Sequence, residues 1–468
     1  MRKAVKVIAA VTGRVCFIGF SIQIVAGLLW MLCNFTGFQR FGESFQYVEI
    51  SKNFLCDEYV SILYPVLLLF ARGIEDSLHI PYYCVMYLLQ LFIALYAAHV
   101  FLQAMHPTDR LKNLWGSLVM LTFPLAMQCH LAILPESLTS SVLLLEFTWL
   151  WRAVREGEEL RSHHLIKIVP FWLVSALLEP EYLYLGAIPV VIVFLYGVVC
   201  FGKKEPRQIV HNLIIVASFA GIIVGMNDLT QVEGVYGRVH QSLNAALFSR
   251  FSWSTADKTY EDWPEEVKRS VDEEMVRETS FYADNMFRIA GEAMEKYSGV
   301  ERAEKLFGEV AWLSYARYRG QILHEMAWDV AGYGFAPVIS ELMLEKRGYD
   351  SYTLRNYELM LRHTPVLTTY YFHYSNWWFA VGVVLAGLLQ LILWIRDLVR
   401  RHEKRGEDIF LWRKVFFWGT LIVSGICMAG WYTIRGGGMF DYKKTIVISC
   451  LWIAWVTVTG EEAIAWEE

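Results

Sequence analysis

GESFQYVEISKNFLCDEYVSILYP, residues 42–65, carries four carboxylates, Glu43, Glu49, Asp57 and Glu58, interleaved with Phe45, Tyr47, Phe54 and Tyr59. Strongly apolar sequence flanks it on both sides. Acids mixed with aromatic rings between two apolar runs suit the membrane–water interface, where rings settle at headgroup level. If the flanking runs are membrane helices, this segment is the loop between them, and the fold class follows from it.

The composition agrees. The chain has 468 residues, 55% hydrophobic, 15% aromatic and 19% charged, with a mean hydropathy of +0.34. Those values fit a polytopic membrane protein with some soluble mass attached. A net charge of −5 speaks against nucleic-acid binding, which needs a basic face. Six of the eight cysteines fall inside apolar runs, and no CxxC spacing occurs. Neither a disulfide framework nor a zinc site is expected.

A hydrocarbon core of ~30 Å needs about 20 apolar residues per helix. Runs of that kind give an all-α polytopic membrane protein with about ten transmembrane helices. They lie near 13–33, 80–104, 113–134, 137–153, 166–179, 182–201, 208–226, 375–395, 412–432 and 442–459. The N-terminal run is too long for a signal peptide and is read as a retained span. The apolar segment 59–71 is too short to cross and is expected to be a helix dipping into the membrane surface. Three parts result: a transmembrane module at 1–226 with a first outer loop at 34–79, a mainly helical extracytoplasmic domain at 227–374, and C-terminal spans at 375–468.

Lysine and arginine set the direction. Arg2, Lys3, Lys6 and Arg14 precede the first span, and Arg152, Arg155, Arg161 and Lys167 lie between the fourth and fifth. Lys203, Lys204 and Arg207 follow the sixth, and another basic group follows the eighth. The positive-inside rule makes that side cytoplasmic. A multi-pass protein of the cell membrane with both termini in the cytoplasm is expected. The opening segment, the turns LAILPESL (131–138) and LLEPEYL (177–183), and the domain at 227–374 then share the outer face.

Each candidate has a plain reading beside it. Carboxylates in an outer loop are mostly solvated, but an acid held at the interface is poorly hydrated and suited to general-base work. Glu43, Glu49 and Asp57 are the candidate catalytic acids, with Tyr47, Glu58 and Tyr59 beside them. Glu136 and Glu181 sit next to prolines in the two turns. Turn chemistry explains each alone, whereas convergence on one face suggests a shared polar site. Arg238, His240 and Arg250 read equally as a phosphate fork or as structural ion pairs with the acidic outer domain. RGGGMFDYKK (435–444) lacks the strand–loop–helix setting of a P-loop, and GYGFAP (332–337) reads as a loop.

The arrangement resembles the GT-C superfamily of membrane glycosyltransferases, which includes the protein O-mannosyltransferases and the aminoarabinose lipid A transferases. In that family a long first outer loop with two surface helices carries an essential acid. ESFQY, residues 43–47, is similar to its acid-x-x-x-Tyr, and Asp57 with Tyr64-Pro65 fills the following acid and aromatic-Pro places. Glu179 stands where relatives often carry a basic residue. The resemblance implies a polyprenyl-phosphate sugar donor and a lipid, glycan or protein acceptor at the bilayer. It also implies Glu43 as base, Arg238 on the leaving phosphate, and inversion at the anomeric carbon. Some members use a divalent metal, and the sequence does not decide that point. A secondary transporter, with Glu146 as the charge inside a span, and a non-catalytic scaffold are the rival expectations.

Overall fold

The structure is a computed structural model that describes residues 2–37, 44–52, 62–105, 110–155, 162–179, 206–230, 242–252, 254–269 and 300–335. Val271 and scattered positions within 182–191 and 423–434 are also described. The described residues are almost entirely helical and contain no strand. The expected spans at 375–395 and 442–459, and nearly all of 182–201, lie outside them.

Helix α1 (Arg2–Asn34) and helix α4 (Tyr82–Met105) frame two short helices, α2 (Ser44–Lys52) and α3 (Leu63–Leu78). After α4 come α5 (Arg110–Leu121), α6 (Pro124–His130), α7 (Glu136–Arg155), α8 (Ser162–Leu178) and α9 (Pro206–Thr230). Among the described residues two helices are long and apolar enough to cross a membrane: Phe17–Asn34 within α1 and Tyr82–Ala104 within α4. Apolar side chains also line the outside. Leu88, Phe92 and Tyr96 are exposed at four-residue intervals on α4, and Leu213 and Ile214 on α9. Water-soluble monomers rarely show such stripes, whereas lipid accepts them.

The expected span at 113–134 is two helices. Pro124 has no N–H to donate and cannot continue α5, so the chain extends at Phe123 and restarts with Pro124 in the first turn of α6. Helix α3 ends in a left-handed residue, His79 (φ 56°), whose N–H bonds to the Glu75 carbonyl.

Helix α7 is the centre of the bundle. From Glu136 to Trp151 its side chains are buried or nearly so, with α4 and α8 packed along it and α6 at its start. Its many hydroxyls survive burial by bonding back one turn. Thr139 donates to the Pro135 carbonyl, Ser141 to Ser137 and Thr148 to Leu144. Two apolar clusters form around it. The first joins Phe101, Leu143, Phe147 and Trp151 with Ile168 and Trp172 of α8 and Ile223 of α9. The second gathers Trp30, Tyr47, Tyr64 and Leu68 with Tyr87 and the buried turn Leu131 to Leu134, at the end where α4 and α7 begin. Burying each large side chain contributes about 1.5–3 kcal/mol.

A third cluster forms the domain between the two sets of expected spans. Helix α10 (Leu243–Ser252) packs along a long helix, with Phe248 against Phe307 and Trp263. Short turns, α11 (Ala256–Thr259) and α12 (Glu265–Lys268), fold beside them. Pro264 and the two glutamates Glu265 and Glu266 open α12 as the sequence suggests. The long helix, α13 (Val300–Phe335), has a break in its dihedrals at Tyr318. It runs through Gly332 and Gly334, so GYGFAP is helical as far as Phe335 and not a loop there. Two glycines cost only about 1 kcal/mol each, while Pro337 disfavours helix just beyond. Val330 of α13 packs against the first bundle cluster, which ties this domain to the bundle.

Gly27 of α1 marks the closest approach to the α5–α6 break. A Cβ there would lie 2.6 Å from Thr122 Cβ and 3.2 Å from Met127 Sδ. Gly27→Val is expected to destabilise the folded protein by about 1–3 kcal/mol. Thermal melting in detergent checks this, with Gly19→Val, whose site is open, unchanged beyond the small propensity term.

Candidate functional site

The turn between α6 and α7 is irregular and wholly buried: Leu131, Ala132, Ile133 and Leu134 are at most 1% exposed. The Cys129 carbonyl keeps one backbone donor, the Ala132 N–H at 3.3 Å, but the turn breaks the helical ladder and buried carbonyls need donors. Gln90, from the middle of α4, supplies them. Its Nε2 lies 3.1 Å from the Cys129 carbonyl and 3.0 Å from those of His130 and Ala132. Its Oε1 accepts from the Tyr64 hydroxyl at 2.9 Å. One carboxamide thus holds α3, α4 and the turn together.

Tyr64 links this node to two of the residues singled out in the sequence. The Tyr47 ring meets it edge-on, with centroids 5.2 Å apart. Glu136, the first residue of α7 and 1% exposed, is close enough for its charge to act on the phenol. Burial pushes the Tyr64 hydroxyl well above its ordinary pKa, and the Glu136 charge adds to that. The phenol is therefore a proton donor to Gln90 across the physiological range. Glu136 in turn sits at the positive end of the α7 dipole, which favours its charge. His130 Nδ1 and Ser137 Oγ are 2.7 Å apart. Ser137 is fully buried, so this pair fixes the turn and presents no nucleophile.

Helix α2 closes the cluster. Tyr47, Val48, Ile50 and Ser51 face inward, while Glu49 faces out. Glu49 pairs with Lys52 on its own helix and is 69% exposed, away from Tyr64. Ser44, the residue after Glu43, is fully buried at the start of α2. Glu43, Asp57, Glu58, Tyr59, Glu181, Arg238 and His240 lie outside the described residues. Arg250 is elsewhere, on α10. It is 3% exposed, with one guanidinium nitrogen 2.6 Å from Asp329 of α13. That is the ion-pair geometry weighed as one of its two readings. Of the sequence candidates, the structure brings Tyr47 and Glu136 together through Tyr64.

Gln90 and His130 were not singled out from sequence. The signal for Gln90 was a lone amide in the otherwise apolar run YLLQLFIALY (87–96), which is costly in a span unless partnered. Among the described residues no group of three or more His, Cys, Asp or Glu is placed to hold a metal ion. No protein-family model, curated protein or solved structure matches the chain.

Replacing Gln90 by Leu keeps the volume and removes every bond at the node. Each buried group left without a partner costs about 1–3 kcal/mol. Gln90→Leu is expected to lower the melting temperature beyond Tyr64→Phe, which removes the hydroxyl's bonds to Gln90 and to the Leu134 backbone and leaves the bonds to the three carbonyls in place. Equal melting of the two variants in detergent would show that the turn is held by something else.

Proposed function

We propose that the chain is an integral-membrane glycosyltransferase of the GT-C type. It moves a sugar from a polyprenyl-phosphate donor to an acceptor on the outer face of the membrane. The observation that carries this reading is the form of the first loop. Two short helices, α2 and α3, lie between two apolar helices and press Tyr47 and Tyr64 against the turn that presents Glu136. That is the layout in which a lipid-linked donor reaches a carboxylate without leaving the interface.

The chemistry is a single displacement. Glu43, which precedes Ser44 in the sequence, is the proposed base and takes the proton from the acceptor hydroxyl as it attacks the anomeric carbon. The lipid phosphate leaves from the opposite face, giving inversion. The Tyr64–Gln90 node fixes the loop so that base and donor keep their geometry. In this proposal the protein has about ten spans, both termini are cytoplasmic, and the domain of α10 to α13 holds the acceptor outside.

One observation favours a different class. Glu146, midway along α7, is fully buried, and neither carboxyl oxygen has a hydrogen-bond partner among the described residues. Ionisable groups at such depth mark ion or proton pathways in transporters.

Deleting the gene in its host and measuring polyprenyl-phosphate sugars by mass spectrometry tests the transferase. One such lipid is expected to accumulate, to clear with the wild-type gene, and to persist with Glu43→Ala. Unchanged lipids on deletion would remove the support, and substrate flux across sealed vesicles without chemical change would favour the transporter.

A further inference from the structure

Where α7 ends and α8 begins, two cations meet on one ring, and the proposed chemistry gives them no part. Trp149, on α7, is half-buried and packs against the first cluster, so the bundle holds its indole. The guanidinium carbon of Arg152, one turn further on, stands 4.9 Å from the ring centre. Nζ of Lys167, on α8, stands 5.1 Å from it. A ring face attracts a cation but cancels no charge, and two like charges gathered on one ring repel each other. Neither forms an ion pair with a described carboxylate. An anion beside both offsets that repulsion. Arg152 is half-buried and Lys167 exposed, so such an anion reaches them from outside the bundle.

The surroundings select the anion. Ile166 and Pro170, immediately before Lys167 and one turn after it on α8, are exposed, Ile166 at 51%. A soluble anion gains nothing from that apolar surface. A phospholipid gains from both parts, with its headgroup on the cations and its acyl chains along the helix. An indole beside basic side chains is also what the headgroup level of a bilayer favours. On the topology proposed above, this end of the bundle faces the cytoplasm. We propose that Arg152 and Lys167, gathered by Trp149, bind an anionic phospholipid of the cytoplasmic leaflet. The site rests on that topology and not on the transferase chemistry, which belongs to the opposite end of α7. A lipid held there ties the join of α7 and α8 to the leaflet.

The test is lipid binding to the purified full chain in a phosphate-free detergent, read by native mass spectrometry. The probes are phosphatidylglycerol and phosphatidylcholine with the same acyl chains, which differ in net charge. Wild type is expected to hold phosphatidylglycerol about tenfold more tightly or better. Lys167→Gln should cut that preference about fivefold, and Arg152→Gln combined with Lys167→Gln should abolish it. Arg14→Gln, which removes an exposed arginine of α1 on the same side of the membrane, should leave it unchanged. Wild-type preference in the double variant overturns the site. No preference in wild type does the same, and is the result expected if the glutamates of the loop between α7 and α8 neutralise the pair. An equal loss in Arg14→Gln also overturns it, by showing a diffuse effect of positive charge. Should the double variant fail to fold, acetylation of wild-type lysines in liposomes of either lipid decides the matter. Lys167 modified more slowly in phosphatidylglycerol, relative to Lys203 and Lys204, supports the site, and a ratio unaffected by the lipid overturns it.

Discussion

The side-chain amide of Gln90 is the constraint on which the proposed site depends. A turn that breaks helical bonding inside a bundle leaves carbonyls without donors, and at membrane level no bulk water replaces them. One carboxamide meets three of those carbonyls and accepts from Tyr64 with its remaining atom. With the His130–Ser137 pair, this lets the turn stay irregular while α7 begins with Glu136 next to the first loop. The same amide fixes α3, and through the Tyr64 ring it fixes α2. The end of α1 is tied in separately: Tyr83 and Tyr87 of α4 donate to the carbonyls of Thr36 and Gly37.

Around this node the bundle solves a second problem, that of enclosing a polar helix. Helix α7 is rich in serine and threonine, and their short side chains allow α4 and α8 to pack closely while most of the hydroxyls bond back one turn and Ser137 pairs with His130. Alanines on the facing side of α4, such as Ala97 and Ala98, match them. Glu146 is the member of this helix whose burial nothing among the described residues offsets. The domain of α10 to α13 follows separate rules, with an aromatic core and a buried ion pair between Arg250 and Asp329. Such a pair fixes one packing of α10 on α13 more than it adds net stability.

Hydropathy made the apolar helices legible, because α1 and α4 are long runs with few charges and nothing in their packing opposes that pattern. The proline signal at 124 was equally plain, but an apolar window of span length hid it. The glycines of 332–337 misled in the other direction, since a long helix absorbs two glycines that a short one would not. The inward face of α2 was not read from the sequence, where Glu49 stood among the candidate acids: Tyr47, Val48 and Ile50 turn in and Glu49 turns out. What sequence could not give was the partner of a polar side chain across elements. Gln90 meets carbonyls about forty positions away, and backbone carbonyls leave no mark in the identity of residues.

We propose that this interface performs chemistry on a lipid-linked sugar. The most direct measurement uses the purified full chain in liposomes loaded with polyprenyl-phosphate sugars extracted from the host, with envelope extract as the acceptor source. Mass spectrometry of the lipids follows the donor over time. Sugar-free polyprenyl phosphate is expected to appear with wild-type protein and not with Glu43→Ala. A donor that stays intact with folded wild-type protein, or that changes leaflet without losing its sugar, would contradict it.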